Sequence, residues 1–139
     1  MKIIIGCDHA GVDHKTEIVK FLKNEGYQVK DLGTHSTDSV DYPDYAHAVS
    51  KEVLTNTTLG ILICGTGNGV GMVANKYKGI RAGICWNKEI AALTRQHNNA
   101  NIISLPSRFL TKKESIEIIR VFLREKFEGG RHEKRVNKI

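Results

Sequence analysis

Gly60-Ile61-Leu62-Ile63-Cys64-Gly65-Thr66-Gly67-Asn68-Gly69-Val70-Gly71-Met72-Val73-Ala74-Asn75-Lys76 reads as a buried strand that delivers a cysteine into a glycine-rich turn at the start of a helix. Glycines at 65, 67, 69 and 71 let the backbone approach a ligand closely, and the start of a helix offers unpaired N–H groups carrying partial positive charge. Both effects favour an anion beside a thiol, and thiolate over neutral sulfur. The same segment equally suits a phosphate cradle beside an inert, buried cysteine, because free cysteine is among the residue types most often buried.

Outward from this turn, short apolar runs alternate with helical stretches along the whole chain. The pattern predicts strands over 2–7, 27–31, 59–64, 80–85 and 101–105, and helices over 12–24, 44–54, 69–76 and 88–96. Such alternation implies an α/β protein: one Rossmann-like three-layer αβα sandwich built on a five-stranded parallel sheet. A last helix has a start signal in Thr111 with Glu114 three residues on, a capping box, after which Ile116, Ile119, Leu123 and Phe127 recur on one face until Gly129-Gly130. Residues 128–139 then form a short basic C-terminal arm with Arg131, Lys134, Arg135 and Lys138. One domain over 1–139 accounts for everything, with no repeat or linker.

Composition closes off several classes. The net charge of +6 comes from scattered Lys and Arg, and with 6% aromatics and no base-reading motif it predicts no nucleic-acid partner. The N-terminal apolar run is too short for a signal peptide, and no later run approaches the length of a membrane span. Cys7, Cys64 and Cys85 offer neither a disulfide framework nor a CxxC pair, so the reading is a reduced, cytoplasmic protein without a metal. A dinucleotide fingerprint fails: Gly69, Gly71 and Ala74 have the spacing but sit late, and Trp86-Asn87-Lys88 occupies the place of the ribose carboxylate. No Gly-Lys-Ser/Thr follows the turn, so a P-loop fails as well.

In open parallel sheets ligands bind outside the carboxyl ends of the strands. The residues expected to converge there are Asp8 and His9, then 64–71, Trp86 and Asn87, and Ser107 and Arg108. Thiol, imidazole, backbone amides and guanidinium suit cofactor-free proton transfer next to a carbonyl in a phosphorylated substrate. Plainer readings stand beside these. Asp8-His9 can be a capped turn, Tyr42-Pro43-Asp44-Tyr45 a helix opening, and His97 a dipole partner at a helix end. His14, His35 and His47 read as surface residues, and Cys7 and Cys85 as core.

Ordered blocks then carry a resemblance over nearly the whole chain. They are Gly-Cys-Asp-His-Ala-Gly at 6–11, Asp-Tyr-Pro at 41–43, Cys-Gly-Thr-Gly and Ala-Asn-Lys within 64–76, and Gly-Ile-Arg-Ala at 79–82. Arg-Gln-His-Asn at 95–98, Ser-Arg at 107–108 and Glu-Gly-Gly-Arg-His-x-x-Arg at 128–135 complete the set. The chain resembles the type B ribose-5-phosphate isomerases.

That resemblance implies Cys64 as the base that moves a proton between C2 and C1 through an enediolate, with Gly65, Gly67, Asn68 and Gly69 in the turn that supplies oxyanion donors. Thr66 would shuttle protons between O1 and O2, Asp8 and Tyr42 contact the sugar, His97 open the furanose ring, and Asn98 bind the enediolate. His9, Arg108, Arg131, His132 and Arg135 would hold phosphate. The family's sites are shared between subunits, which implies a homodimer or a dimer of dimers and gives the basic arm a purpose. Some relatives carry a glutamate base in place of Val70; valine takes no proton, so the resemblance is to the cysteine-using branch. Relatives acting on allose 6-phosphate or galactose 6-phosphate leave a six-carbon substrate as an alternative, and a non-catalytic phosphosugar sensor is the alternative of a different class.

Overall fold

The computed structural model describes residues 1–139, with strands β1 Lys2–Cys7, β2 Gln28–Asp31, β3 Leu59–Cys64, β4 Ala82–Ile84 and β5 Ile102–Pro106. All pair in parallel, in the order β2-β1-β3-β5-β4. Ile3, Ile4, Ile5, Ile61, Leu62 and Ile63 are all 0% exposed, because helices cover both faces of the central strands.

Successive side chains nevertheless point to opposite faces. Ile3, Ile5, Cys7, Ile61 and Ile63 pack with Ile18 and Leu22 of α1 (Val12–Asn24), Ala91 of α4 (Lys88–Asn98), and Ile119 and Phe122 of α5 (Lys112–Arg124). Ile4, Leu62 and Cys64 turn the other way, toward Ala46, Val49 and Val53 of α2 (Tyr42–Asn56) and Val70 and Ala74 of α3 (Asn68–Ala74). The result is the expected three-layer sandwich, in which Cys64 leaves the sheet on the α2–α3 side.

The differences from expectation lie at element ends. α2 begins at Tyr42, since Pro43 is suited to a helix's first turn. The capping box of α5 forms as predicted, but the helix ends at Arg124; Glu125 is extended (φ −72°, ψ 149°), and Phe127 lies outside it. The arm is not irregular throughout, for Arg131–Val136 forms a short helix, α6, packed against α4. No helix is long and apolar enough to cross a membrane.

Candidate active site

The chain leaves β1 for β2 on one side and leaves β3 for β4, beyond β5, on the other, so the strand order switches direction between β1 and β3. A cavity of about 260 Å³ lies beyond their carboxyl ends. It is smaller than the roughly 300–1,000 Å³ of clefts for drug-sized ligands, which suits a small metabolite. Asp8 and His9 line it just after β1, Cys64 at the end of β3, Gly65 and Thr66 in the turn that follows, and Gly69 from the first turn of α3. Tyr42 at the start of α2 and Arg108 after β5 complete the wall.

Register explains why these ends meet: Cys7 pairs with Ile63, and Cys64 with Pro106. Ser107 then ties the three ends together, its hydroxyl oxygen 2.8 Å from the Ala10 carbonyl and 3.1 Å from that of Cys64. The Arg108 amide donates to the Gly65 carbonyl at 3.1 Å. Ser104, a hydroxyl inside the apolar run of β5, donates to the Gly67 carbonyl and fixes the glycine turn from below. Sequence reasoning passed over Ser104, although one buried hydroxyl among Ile102, Ile103 and Leu105 is a signal that something nearby accepts its hydrogen bond.

Each glycine of the turn has its own reason. Gly67 has φ +74°, which a side chain would strain, and its N–H donates to Cys64 Sγ at 3.1 Å. A Cβ at Gly65 would lie 3.1 Å from the Arg108 guanidinium carbon, and one at Gly69 2.5 Å from the Tyr42 ring. The absent side chains are thus the space that Arg108 and Tyr42 occupy. Two of the expected oxyanion donors are already engaged, since Gly67 donates to sulfur and the Asn68 amide to Thr66 Oγ1 at 3.3 Å. Cys64 itself is 5% exposed. Asp8 does cap the turn, accepting from the Ala10 amide at 2.9 Å through one carboxylate oxygen.

The remaining predicted residues do not reach this cavity. His97 and Asn98 end α4, which leads into the amino end of β5, so one strand length, on the order of 15 Å, separates them from the edge where Cys64 sits. There the His97 ring stacks on His132 of α6, centroids 4.1 Å apart and planes at 9°. The arm is tied down by the Glu128 amide, which donates to the Gln96 carbonyl at 3.0 Å. Burial holds the His132 imidazole below its ordinary range; His97 and Arg131 push the same way, and Glu128 opposes them. Arg131 and Arg135 stand exposed on α6. Trp86 and Asn87 are also elsewhere, in a separate hollow with Glu114 and Glu117, because β4 is at the far edge of the sheet. The expected residues therefore form a Cys64 group and a His97 group at opposite edges, with Trp86 and Asn87 apart from both.

Residues 3–139 match the family model described as Ribose/Galactose Isomerase. The chain belongs to this isomerase family. It is 49% identical over 139 residues to a probable ribose-5-phosphate isomerase B of Mycoplasma pneumoniae, covering 99% of this chain and 91% of that one. Among solved structures, ribose-5-phosphate isomerase B of Clostridium thermocellum superposes with a TM-score of 0.97 at 47% identity, over 99% of this chain and 94% of that one. The Mycoplasma genitalium enzyme, solved with bound ribulose 5-phosphate, gives 0.95 at 48% identity, over 99% and 92%.

In this family member a larger cleft, about 540 Å³, opens at the amino edge. Two of its three arginines are already committed: Arg81 Nε donates to the carbonyls of Asn98 and Asn99, and Arg95 to those of Ala100 and Glu125. His97, Glu128 and His132 are the one grouping with metal-ligand atoms close together. Face-to-face imidazoles aim their in-plane lone pairs in parallel, not at a common point, and Arg131 Nε donates toward His132 Nε2 at 3.5 Å. As arranged, the group is a stacking contact between α4 and the arm.

Proposed function

We propose that this protein interconverts ribose 5-phosphate and ribulose 5-phosphate through a cis-enediolate. The observation that carries the reading is the cavity at the β1–β3 switch, where a thiol, a carboxylate and a guanidinium meet on a fold shared with an enzyme solved with ribulose 5-phosphate bound. Cys64 takes the proton from C2 of the open-chain aldose, the electrons move into an enediolate, and the same proton is returned at C1. Nothing is oxidised or reduced overall, so no cofactor is required. The Gly67 amide favours negative charge on the sulfur while the proton is absent.

Thr66, at the mouth of the same cavity, moves the hydroxyl proton between O1 and O2. Asp8 and Tyr42 hold sugar hydroxyls, and His9 and Arg108 hold phosphate, which keeps C2 against the sulfur. The second group completes the site from another copy of the chain. His97 opens the furanose ring, Asn98 binds the enediolate, and Arg131 and Arg135 reach the phosphate, with His132 beside them. Such sharing makes a homodimer, or a dimer of dimers, the working unit. Three free thiols suit a reducing cytoplasm.

Turnover by metal-free protein tests this, comparing kcat/KM for ribose 5-phosphate, allose 6-phosphate and galactose 6-phosphate. Ribose 5-phosphate should lead, and Cys64→Ala should lower kcat about a hundred- to ten-thousand-fold with the fold intact. A lead for a hexose phosphate would shift the substrate, toward the second sugar in the family's description if galactose 6-phosphate. Tight binding of all three without turnover would make the protein a sensor and end the proposal.

A further inference from the structure

Lys15 on α1 is 2% exposed and plays no part in the chemistry above. Its ammonium donates to both carboxylate oxygens of Asp31, at 2.6 and 2.8 Å, and lies 3.2 Å from His35 Nδ1. A buried cation is costly unless fully paired, and this one is held by both oxygens of a single carboxylate. Asp31 closes β2, and the oxygen that is 2.8 Å from Lys15 also accepts the Gly33 amide at 2.9 Å. The next residues are laced to β1: the Leu32 amide donates to Ile5 at 2.8 Å and the Thr34 amide to Cys7 at 2.7 Å. The first turn of the segment joining β2 to α2 is therefore clamped.

Its other end reaches the cavity. The Val40 amide donates to His9 Nδ1 at 3.2 Å, and two residues later Tyr42 lines the same wall as His9. An imidazole nitrogen that accepts a hydrogen bond carries no proton, so the ring proton is on Nε2. Nε2–H is then the only donor His9 has for a ligand.

We propose that residues 32–41 are a positioning device for phosphate: Lys15 and Asp31 clamp one end, and at the other the Val40 amide holds His9 as the neutral Nε2–H tautomer, so that His9 serves phosphate as an uncharged hydrogen-bond donor. This rests on the reading of His9 as a phosphate ligand given above. Lys15, Asp31 and Val40 act through His9 and are positioning residues.

Nitrogen-15 NMR of the histidine rings in the wild-type protein reads the tautomer without any turnover. His9 should show an unprotonated Nδ1 and a protonated Nε2, the latter shifting on titration with inorganic phosphate. A proton on Nδ1, or an Nε2 indifferent to phosphate, overturns the proposal. Val40→Pro, read against Val40→Ala, which keeps the N–H, removes the donated hydrogen while also fixing φ at residue 40 and restricting Ser39. It should give a mixture of tautomers and raise KM for ribose 5-phosphate and the Kd for inorganic phosphate about fivefold, with kcat within about twofold, as for loss of one neutral hydrogen bond. Asp31→Asn should speed hydrogen exchange of the Val40 amide about tenfold and raise KM in the same direction, since a lost charged partner is worth more. Unchanged exchange would remove the clamp, and a fall in kcat at constant KM would turn His9 into a chemical participant and reject the positioning role. If ribose 5-phosphate is not a substrate, the tautomer and phosphate readouts still decide this proposal separately from the isomerase reading.

Discussion

Cys7, Cys64 and Cys85 are all free thiols, yet what surrounds each sulfur differs. Burial pushes the Cys7 thiol up to about 12, only partly offset by Lys15, and Cys85 up to about 11 despite a hydrogen bond to Thr94. At pH 8 the thiolate fractions are then about one in ten thousand and one in a thousand. Cys64 opens on the cavity and accepts a backbone N–H. Iodoacetamide at pH 8 should therefore alkylate Cys64 first, read by peptide mass spectrometry; simultaneous labelling of all three in folded protein would contradict the assignment. The two core thiols also set an alkaline limit. Their values are raised from 9.0, so the unfolded chain releases its protons first, and Tm should hold below pH 9 and fall as pH rises through 11 and 12. These core roles were legible because each cysteine lies in or beside an apolar strand. The His97–His132 stack was not, because nothing local signals that the end of α4 will meet the arm.

Helices and strands were readable where a local signal acts alone, as with Thr111 and Glu114 opening α5. Its far end was not, because tertiary contacts decide it. Gln96 on α4 donates to the Glu125 carboxylate at 2.7 Å and Arg95 to the Glu125 carbonyl at 3.5 Å, which holds residue 125 extended and stops the helix before Phe127. The last turn of α4 also docks α6, through His97, and the one buried side chain of α6 is His132. Because burial lowers its proton affinity, the free arm takes up a proton more readily than the docked one. Docking is at full strength above about pH 6.5 and weakens as pH falls below it. Protection factors over Arg131–Val136, corrected for the slower base-catalysed intrinsic exchange at low pH, should fall from pH 7 to pH 5 while those of β3 hold; an equal fall in both would show global loosening instead.

At the scale of the molecule, strand order was not written in any local pattern, yet it decides the site. β1 and β3 at the switch gather Asp8, His9 and Cys64, while β4 at the edge carries Trp86 away. Topology also fixes what one chain cannot do. Cys64 is the carboxyl-terminal residue of β3, His97 precedes the amino end of β5, and those strands are parallel neighbours in register, so the two side chains are at opposite edges whatever the loops do. If both act on one sugar, the second must come from another copy, and two defective chains must repair each other. In a mixed dimer of Cys64→Ser and His97→Asn chains, one site holds both lesions and the other holds neither. Random pairing makes about half the dimers mixed, each with one intact site of two, so co-assembled protein should regain about a quarter of wild-type turnover on cyclic ribose 5-phosphate. Each variant alone should stay near its own low rate. Were the site complete within one chain, every mixture would show only the average of the two variants, and that average would refute the shared site.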